Sequence, residues 1–400
     1  MEHMDYIKRS IDSSIKHALQ RGKSVILLGA RQTGKTTLVG QLKPDRTLSL
    51  VRADTRLRYE KNPGLLTGEV EALADSVKAG TPLVVLDEVQ KVPAILDVVQ
   101  DLIDRKVAQF LITGSSARKL RRQTPANLLP GRVTVLHLDP FGMKEFTDPD
   151  LEKLLLDGSL PGIVRVPVAA DREQDLGDYV LTYLEEEIRA EAAVRNLGSF
   201  ARFLELAASE SGQIVNLRKM SSAIGVAHTT IAGYYQILED CLIAQRIEPL
   251  STSPTRKKLT KSDRFLFFDL GVRRLAAREG RQPPAAQWGV LFEQFVGLEL
   301  LRFFRASDRS VKLRFWRDPD GPEVDWVLDF GGTFVPIEVK WTDAPSLADA
   351  RHLRTFLAEY PTFGKAYIIC RSPLRIKLSH DITALPWQTL LDGISGASAH

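Results

Sequence analysis

Residues 25–37 read VILLGARQTGKTT, and no other stretch of the chain constrains its fold so tightly. An apolar run leads into Gly29, and Gly34, Lys35 and Thr36 complete the spacing GxxxxGK[ST]. Glycines let successive backbone N–H groups close around an anionic phosphate, and the helix that follows turns its positive end toward the same point. The loop of Gly29, Ala30, Arg31, Gln32, Thr33, Gly34, Lys35, Thr36 and Thr37 is therefore expected to cradle nucleotide phosphates. Lys35 would meet the β- and γ-phosphates and Thr36 the Mg²⁺ ion, which makes ATP and Mg²⁺ the expected cofactors. A strand must precede such a loop and a helix must follow it, so the amino-terminal third is expected to be α/β.

A second apolar run, LVVLDE at 83–88, ends in Asp87 and Glu88. Asp87 is expected to hold the metal through its water shell and Glu88 to polarise an attacking water, a pairing that favours hydrolysis over binding alone. A third run, QFLITGSS, ends in Thr113, Gly114, Ser115 and Ser116. Ser115 is the candidate there for orienting the water or the γ-phosphate, a plain strand-to-loop cap being the other reading. In LLPGRVTVLHL, Arg132 stands just before a further strand, where it would reach the nucleotide of a neighbouring subunit. Arg118, Arg121 and Arg122 compete for that role, and a surface arginine at a turn is the plain alternative.

On these residues the chain resembles the AAA+ superfamily, and more narrowly the prokaryotic and archaeal ATPase group that shares GARQTGKTT, LDEVQ and LITGSS. The resemblance covers residues 1 to about 200. It implies a parallel sheet flanked by helices, a small helical lid from about Pro140 through LPGIV to YLEEEIRAE, and a ring, expected to be hexameric, with an arginine acting between subunits. It does not single out a sensor arginine in the lid.

Beyond the lid, FARFLELAASESGQ has helical periodicity, Asn216 can cap a second helix, and Ile231, Tyr234, Leu238 and Leu242 recur at helical spacing. This pattern is similar to winged-helix modules, whose second helix would expose Thr229, Thr230, Gly233 and Gln236 to DNA. That helix carries Glu239 and Asp240 but no lysine or arginine, which equips it poorly for phosphates. From Arg256 to Arg281 basic residues outnumber acidic ones, and Arg256, Lys257, Lys258 and Lys261 are the expected phosphate contacts. A solvated basic face is the other reading.

The last third runs from an amphipathic helix, GVLFEQFVGLELLRFF, through strand-like KLRFWRD, EVDWVLDF and FVPIEVK to a helix around LADARHLRTFLAEY and a strand KAYIIC. It resembles the PD-(D/E)xK restriction-endonuclease-like fold of a domain of unknown function that closes this ATPase group. Carried over, Asp325 and Glu338 would bind a divalent metal with help from the Val339 carbonyl, and Lys340 would activate water. Glu293, on the preceding helix, would complete the shell or orient water. Val324 stands where the family has proline, and solvated strand-edge charges are the plain alternative.

The expected fold is thus α/β in four parts: a parallel-sheet core at 1–140, a lid at 141–200, a winged helix at 201–255 and a nuclease-like α/β domain at 256–400. The longest apolar runs fall far short of the roughly 20 residues that cross a bilayer, so a cytoplasmic protein without membrane contact is expected. Cys241 and Cys370 are the two cysteines and form no metal-binding cluster. The leading functional reading is ATP hydrolysis coupled to remodelling of duplex or branched DNA. An ATP-regulated nuclease and a nucleotide-dependent switch for protein partners are the alternatives.

Overall fold

The computed structural model describes residues 6–78, 80–115, 131–184, 197–251, 259–307, 310–319 and 321–395. Five strands form the amino-terminal sheet: β1 (Ser24–Leu28), β2 (Arg46–Ser49), β3 (Leu83–Asp87), β4 (Gln109–Gly114) and β5 (Val133–His137). All are parallel, in the order β2-β3-β4-β1-β5. A parallel sheet needs cover on both faces, and its central strands β1, β3 and β4 are accordingly near-continuous apolar runs, while the edge strands β2 and β5 carry polar residues. Val84, Leu86, Phe110 and Ile112 face one core with Ile95, Val99 and Leu102 of the helix Ile95–Asp104. Val25, Leu27, Val85 and Leu111 face the other, against Ile15 and Leu38.

Short helices Leu151–Asp157, Pro161–Val164 and Ala169–Asp178 follow, then one π turn, Tyr179–Leu184. The expected lid residues Glu185–Glu191 lie outside the described residues. Next come helices Leu197–Ser209, Leu217–Ile224 and His228–Asp240 and an antiparallel pair, β6 (Ala244–Ile247) and β7 (Arg264–Phe267). Asn216 caps the middle helix by accepting from the Lys219 N–H at 3.0 Å. Phe200, Phe203, Tyr234, Tyr235 and Phe265 pack ring to ring at its centre.

The boundary expected at 255/256 falls inside this β6–β7 hairpin. The helix Leu270–Ala276 also packs with the middle unit, where Val272 and Ala276 share the core of Phe203 and Leu238. The loop between the two strands reads as a linker, while their hydrogen bonds join what it separates.

The carboxy-terminal unit begins with the long helix Ala285–Ala306. Its sheet has the order β12-β13-β11-β10-β9-β8, from β8 (Lys312–Arg317), β9 (Glu323–Asp329), β10 (Phe334–Val339), β11 (Ala366–Cys370), β12 (Ile376–Lys377) and β13 (Ile382–Pro386). The β9–β10 hairpin through Gly331 and Gly332 and the strand after the helix Arg351–Glu359 follow the sequence reading, whereas β12 and β13 were not anticipated. The long helix fastens the units together. Arg302 donates to the Phe141 carbonyl (3.1 Å), to Ser159 Oγ (3.1 Å) and to the Phe268 carbonyl (2.9 Å), and Glu299 accepts from the Met143 N–H at 2.6 Å. Among the described residues no helix is long and apolar enough to cross a membrane, and both cysteines are buried and outside any disulfide.

Candidate functional site

The carboxyl ends of β1, β3 and β4 meet at one cleft of about 1020 Å³, lined by Gln32, Gly34, Lys35, Thr36, Thr37, Asp87 and Glu88. That is the upper end of the size class of small-molecule sites, roughly 300–1,000 Å³. The loop must fold tightly here. A Cβ on Gly29 would lie 2.5 Å from the Leu138 carbonyl, and Gly34 has φ +93°, open to glycine alone without strain. Lys35 is 6% exposed, and its ammonium donates to the carbonyls of Gly29 (2.8 Å) and Ala30 (3.0 Å) while lying 3.9 Å from Glu88 Oε1.

The two acids are set by Thr113, which is fully buried at the end of β4. Its hydroxyl donates to Asp87 Oδ1 at 2.6 Å and accepts from the Glu88 N–H at 3.1 Å. Glu88 itself sits at φ +56°, a backbone strain that a non-glycine residue adopts only when its surroundings impose it. Ser115 Oγ donates to Glu88 Oε2 at 3.0 Å, and the Gln90 amide contacts the same oxygen. Ser115 thus stands beside Glu88, while Thr113 acts beneath both carboxylates as a clamp.

Three features of the cleft were missed in the sequence. Arg9, 5% exposed, donates to the Thr33 carbonyl at 2.7 Å and to the Asp139 carbonyl at 2.6 Å, and pairs with Glu145 at 3.2 Å. Arg165 lines the cleft from the lid side. The Tyr179 hydroxyl donates to the Arg31 carbonyl at 3.3 Å, tying the lid to the loop. Arg9 and Arg165 lie outside any phosphate motif, so spacing gave no signal for them.

Arg132 is not brought to the cleft. It precedes β5 at the amino ends of the strands, the end of the sheet away from the cleft, where its carbonyl accepts from the Ser24 N–H (3.2 Å) and its side chain pairs with Asp104. Arg118, Arg121 and Arg122 lie outside the described residues.

Residues 21–147 match the family model of an AAA domain. The amino-terminal unit is thus similar to P-loop domains of the AAA type over those residues. Residues 148–282 and 288–390 match two domains of unknown function, DUF8612 and DUF4143. An uncharacterized protein of Mycobacterium tuberculosis is 27% identical over 400 residues, spanning 96% of this chain and 84% of its own. An uncharacterized protein of Methanocaldococcus jannaschii is 22% identical over 372 residues, spanning 81% and 76%. Among solved structures, Cdc6p from Pyrobaculum aerophilum overlaps with TM-score 0.29 at 13% identity, over 68% of this chain and 94% of that one. The DNA clamp loader delta protein of Bacillus subtilis overlaps with TM-score 0.25 at 12% identity, over 57% and 87%.

Away from the AAA domain, the helix His228–Asp240 exposes Thr229, Gly233 and Gln236, with Thr230 half-buried. Lys261 is exposed, and Arg256, Lys257 and Lys258 lie outside the described residues. The expected basic footprint does not extend through the rest of that stretch. Arg264, Arg273 and Arg274 are at most 5% exposed. Arg273 pairs with Glu279, Arg274 with Glu173, Arg278 with Glu205 and Arg281 with Asp157. The neutralising carboxylates come mostly from distant segments, which a local charge count does not see.

In the carboxy-terminal sheet Asp325 and Glu338 lie across the β9–β10 pair, one rung beyond Trp326–Ile337. Asp325 Oδ2 accepts from the Val339 N–H at 2.7 Å, and Lys340 donates to Glu338 Oε1 at 2.7 Å. Glu293, from the long helix, pairs with Arg264 at 2.8 Å. Burial raises the pKa of Glu293 and Glu338 well above the usual carboxylate range, and the nearby Asp325 charge pushes both further. Burial likewise raises Asp325. For Lys340, burial alone would lower the ammonium pKa, but Glu338, with Asp325 and Asp349, more than offsets it and the net is a rise.

The four expected residues are therefore brought together, yet as arranged they do not fit a divalent metal. A divalent ion can rest on one or two carboxylates and keep waters for the rest of its shell, but here Asp325 Oδ2 accepts from the Val339 N–H while Lys340 and Arg264 already place two cations on Glu338 Oε1 and Glu293 Oε1. Glu338 Oε2 is buried without a partner. Among the described residues no three His, Cys, Asp or Glu side chains close into a metal-binding group.

Proposed function

We propose that this chain is an ATP hydrolase of the AAA type that couples hydrolysis to binding and remodelling of DNA. The observation that carries the first half is the meeting of Lys35, Asp87 and Glu88 in one cleft, with Thr113 fixing both acids and Ser115 beside Glu88. Thr36 and Asp87 are the residues that would hold Mg²⁺, which when bound neutralises charge on the transferring phosphate. Lys35 then binds the β- and γ-phosphates, and the Glu88 carboxylate accepts the proton of the attacking water. Arg132, at the amino ends of the strands and so away from this chain's own cleft, would serve only the nucleotide of a neighbouring copy, which is the reading that calls for a ring. DNA contact is supported by the exposed Thr229, Gly233 and Gln236 face and by Lys261 on the loop that leads into β7. The buried arginines reduce the basic surface available for it.

The ATP-regulated nuclease is a second reading because Asp325, Glu338, Lys340 and Glu293 come together, and it requires the Arg264–Glu293 pair to open, since as arranged the cluster does not take a divalent metal. The test is turnover by the full chain with and without duplex, branched and single-stranded DNA. Lys35→Ala is expected to lose nucleotide binding, Glu88→Gln to bind ATP without turnover, and Arg132→Ala to bind ATP but turn over only when mixed with Glu88→Gln chains. Equal loss of binding in Lys35→Ala and Glu88→Gln would contradict the assigned roles. A rate indifferent to all three DNAs, together with no salt-sensitive DNA binding, would remove DNA from the reading.

A further inference from the structure

The carboxylates of the carboxy-terminal sheet must be balanced by cations, since an isolated buried charge costs far more than a paired one. Lys340 supplies one from within the domain. The other comes from outside it. Arg264 belongs to β7, which pairs with β6 of the middle unit, and its side chain crosses into the carboxy-terminal unit. Its Nη1 donates to Glu293 Oε1 at 2.8 Å and lies 3.4 Å from the Asp325 carbonyl. The guanidinium sits 4.4 Å from the Phe315 ring centre and 5.7 Å from that of Trp326, so aromatic faces enclose it where water would otherwise be. A planar, weakly hydrated guanidinium tolerates such a setting, whereas a hard divalent ion that keeps its waters does not.

We infer that Arg264 is the resident counter-cation of the Glu293, Asp325 and Glu338 cluster, and that it excludes a divalent metal from this centre while it is in place. The inference bears on the nuclease reading without depending on the ATPase one. Its physical basis is twofold. The guanidinium occupies the Glu293 oxygen that would complete a metal shell, and it holds a positive charge beside the Asp325 backbone, where a second cation would be repelled. Because the arginine arrives on a strand of a different unit, access to the cluster is set by how β7 docks, not by the nuclease-like domain alone.

The experiment is Mn²⁺ titration of the nucleotide-free full chain, reading free Mn²⁺ by electron paramagnetic resonance. Asp325→Asn serves to identify the site, because Asp325 is remote from the nucleotide cleft. Wild type is expected to show no Asp325-dependent binding at millimolar Mn²⁺. Arg264→Gln, whose folding is checked by circular dichroism, is expected to gain one site at least ten-fold tighter than any in wild type, lost again in Arg264→Gln/Asp325→Asn. Arg264→Lys, which keeps the charge, is expected to resemble wild type. Asp325-dependent Mn²⁺ binding by wild type with the affinity of Arg264→Gln would overturn the inference, as would a folded Arg264→Gln that gains no site. Should Arg264→Gln fail to fold, the wild-type and Arg264→Lys titrations decide: an Asp325-dependent site in either one overturns the inference, and its absence from both supports it.

Discussion

Arg9 braces the nucleotide loop from beneath, and its removal should separate loop geometry from loop chemistry. In Arg9→Met the Thr33 carbonyl loses its 2.7 Å donor, and Glu145, a 6% exposed carboxylate, loses its cation. Breaking a buried pair from one side costs about 3–5 kcal/mol, and a stranded buried carbonyl about 1–3 kcal/mol. Glu145 keeps the N–H groups of Ser10 (2.6 Å) and Gly142 (3.0 Å), so its stranding is partly relieved. The expected loss is therefore near the lower bound of the sum, about 3–5 kcal/mol. Because Arg9 touches the loop one residue before Gly34, part of this should appear as ATP affinity, at least ten-fold, or about 1.4 kcal/mol. Urea unfolding followed by circular dichroism measures the first quantity and titration with a fluorescent ATP analogue the second. The double variant with Glu145→Gln should cost less than the sum of the single changes, since the two residues share one ion pair. A loss below about 1 kcal/mol with unchanged ATP affinity would refute the brace.

Stability should also depend on pH through the carboxy-terminal cluster. The pKa values of Glu293 and Glu338 are raised in the folded protein, so their protonated forms favour folding. That contribution is fully present below the ordinary value of 4.5 and is lost as pH rises through the folded value of about 8. Unfolding free energy should therefore fall by on the order of 2–4 kcal/mol between pH 5 and pH 8, and Glu338→Gln should flatten the slope. All 5 tryptophans lie between Trp288 and Trp387, so their fluorescence reports this unit directly; a flat wild-type profile would refute the assignment. At the seam between lid and middle unit, a Cβ on Gly158 would fall 2.0 Å from Asp269 Oδ1, at φ +71°. Gly158→Ala should cost about 2–4 kcal/mol in the same unfolding assay, and a neutral effect would mean that the seam yields more easily than its buried Asp269 implies.

The cleft at Lys35, Asp87 and Glu88 was legible because the chemistry proposed for it demands neighbours in sequence. Gly29 to Thr37 runs from a loop into the first turn of the helix Lys35–Gln41, and Asp87 and Glu88 are adjacent at the end of an apolar strand, so spacing alone singles them out. Thr113 was seen as a strand end but not as the clamp between the two acids. That role depends on β4 lying beside β3, a topological fact that no local pattern states. The β9–β10 hairpin was legible for a similar reason, since two apolar runs around Gly331–Gly332 leave one register that buries both. The boundary expected at 255/256 rests on composition, whereas hydrogen bonds across a long loop join β6 to β7 on either side of it.

Charge was the least legible property, and the arginines show why. Seen along the chain, Arg264, Arg273, Arg274 and Arg281 are one basic run. In the fold each meets a different carboxylate: Glu293 from the long helix, Glu279 from the turn after its own helix, Glu173 from the lid and Asp157 from the helix before it. Only Glu279 lies within ten residues of its partner. A buried arginine needs its partner in space, so a count of local charges reads the donors of an internal network as an exposed phosphate footprint. The same reasoning recasts the cluster at Asp325 and Glu338. Its charges are set less by the spacing of the hairpin that carries them than by an arginine that a neighbouring unit inserts, and the metal titration of Arg264→Gln bears on that distinction directly.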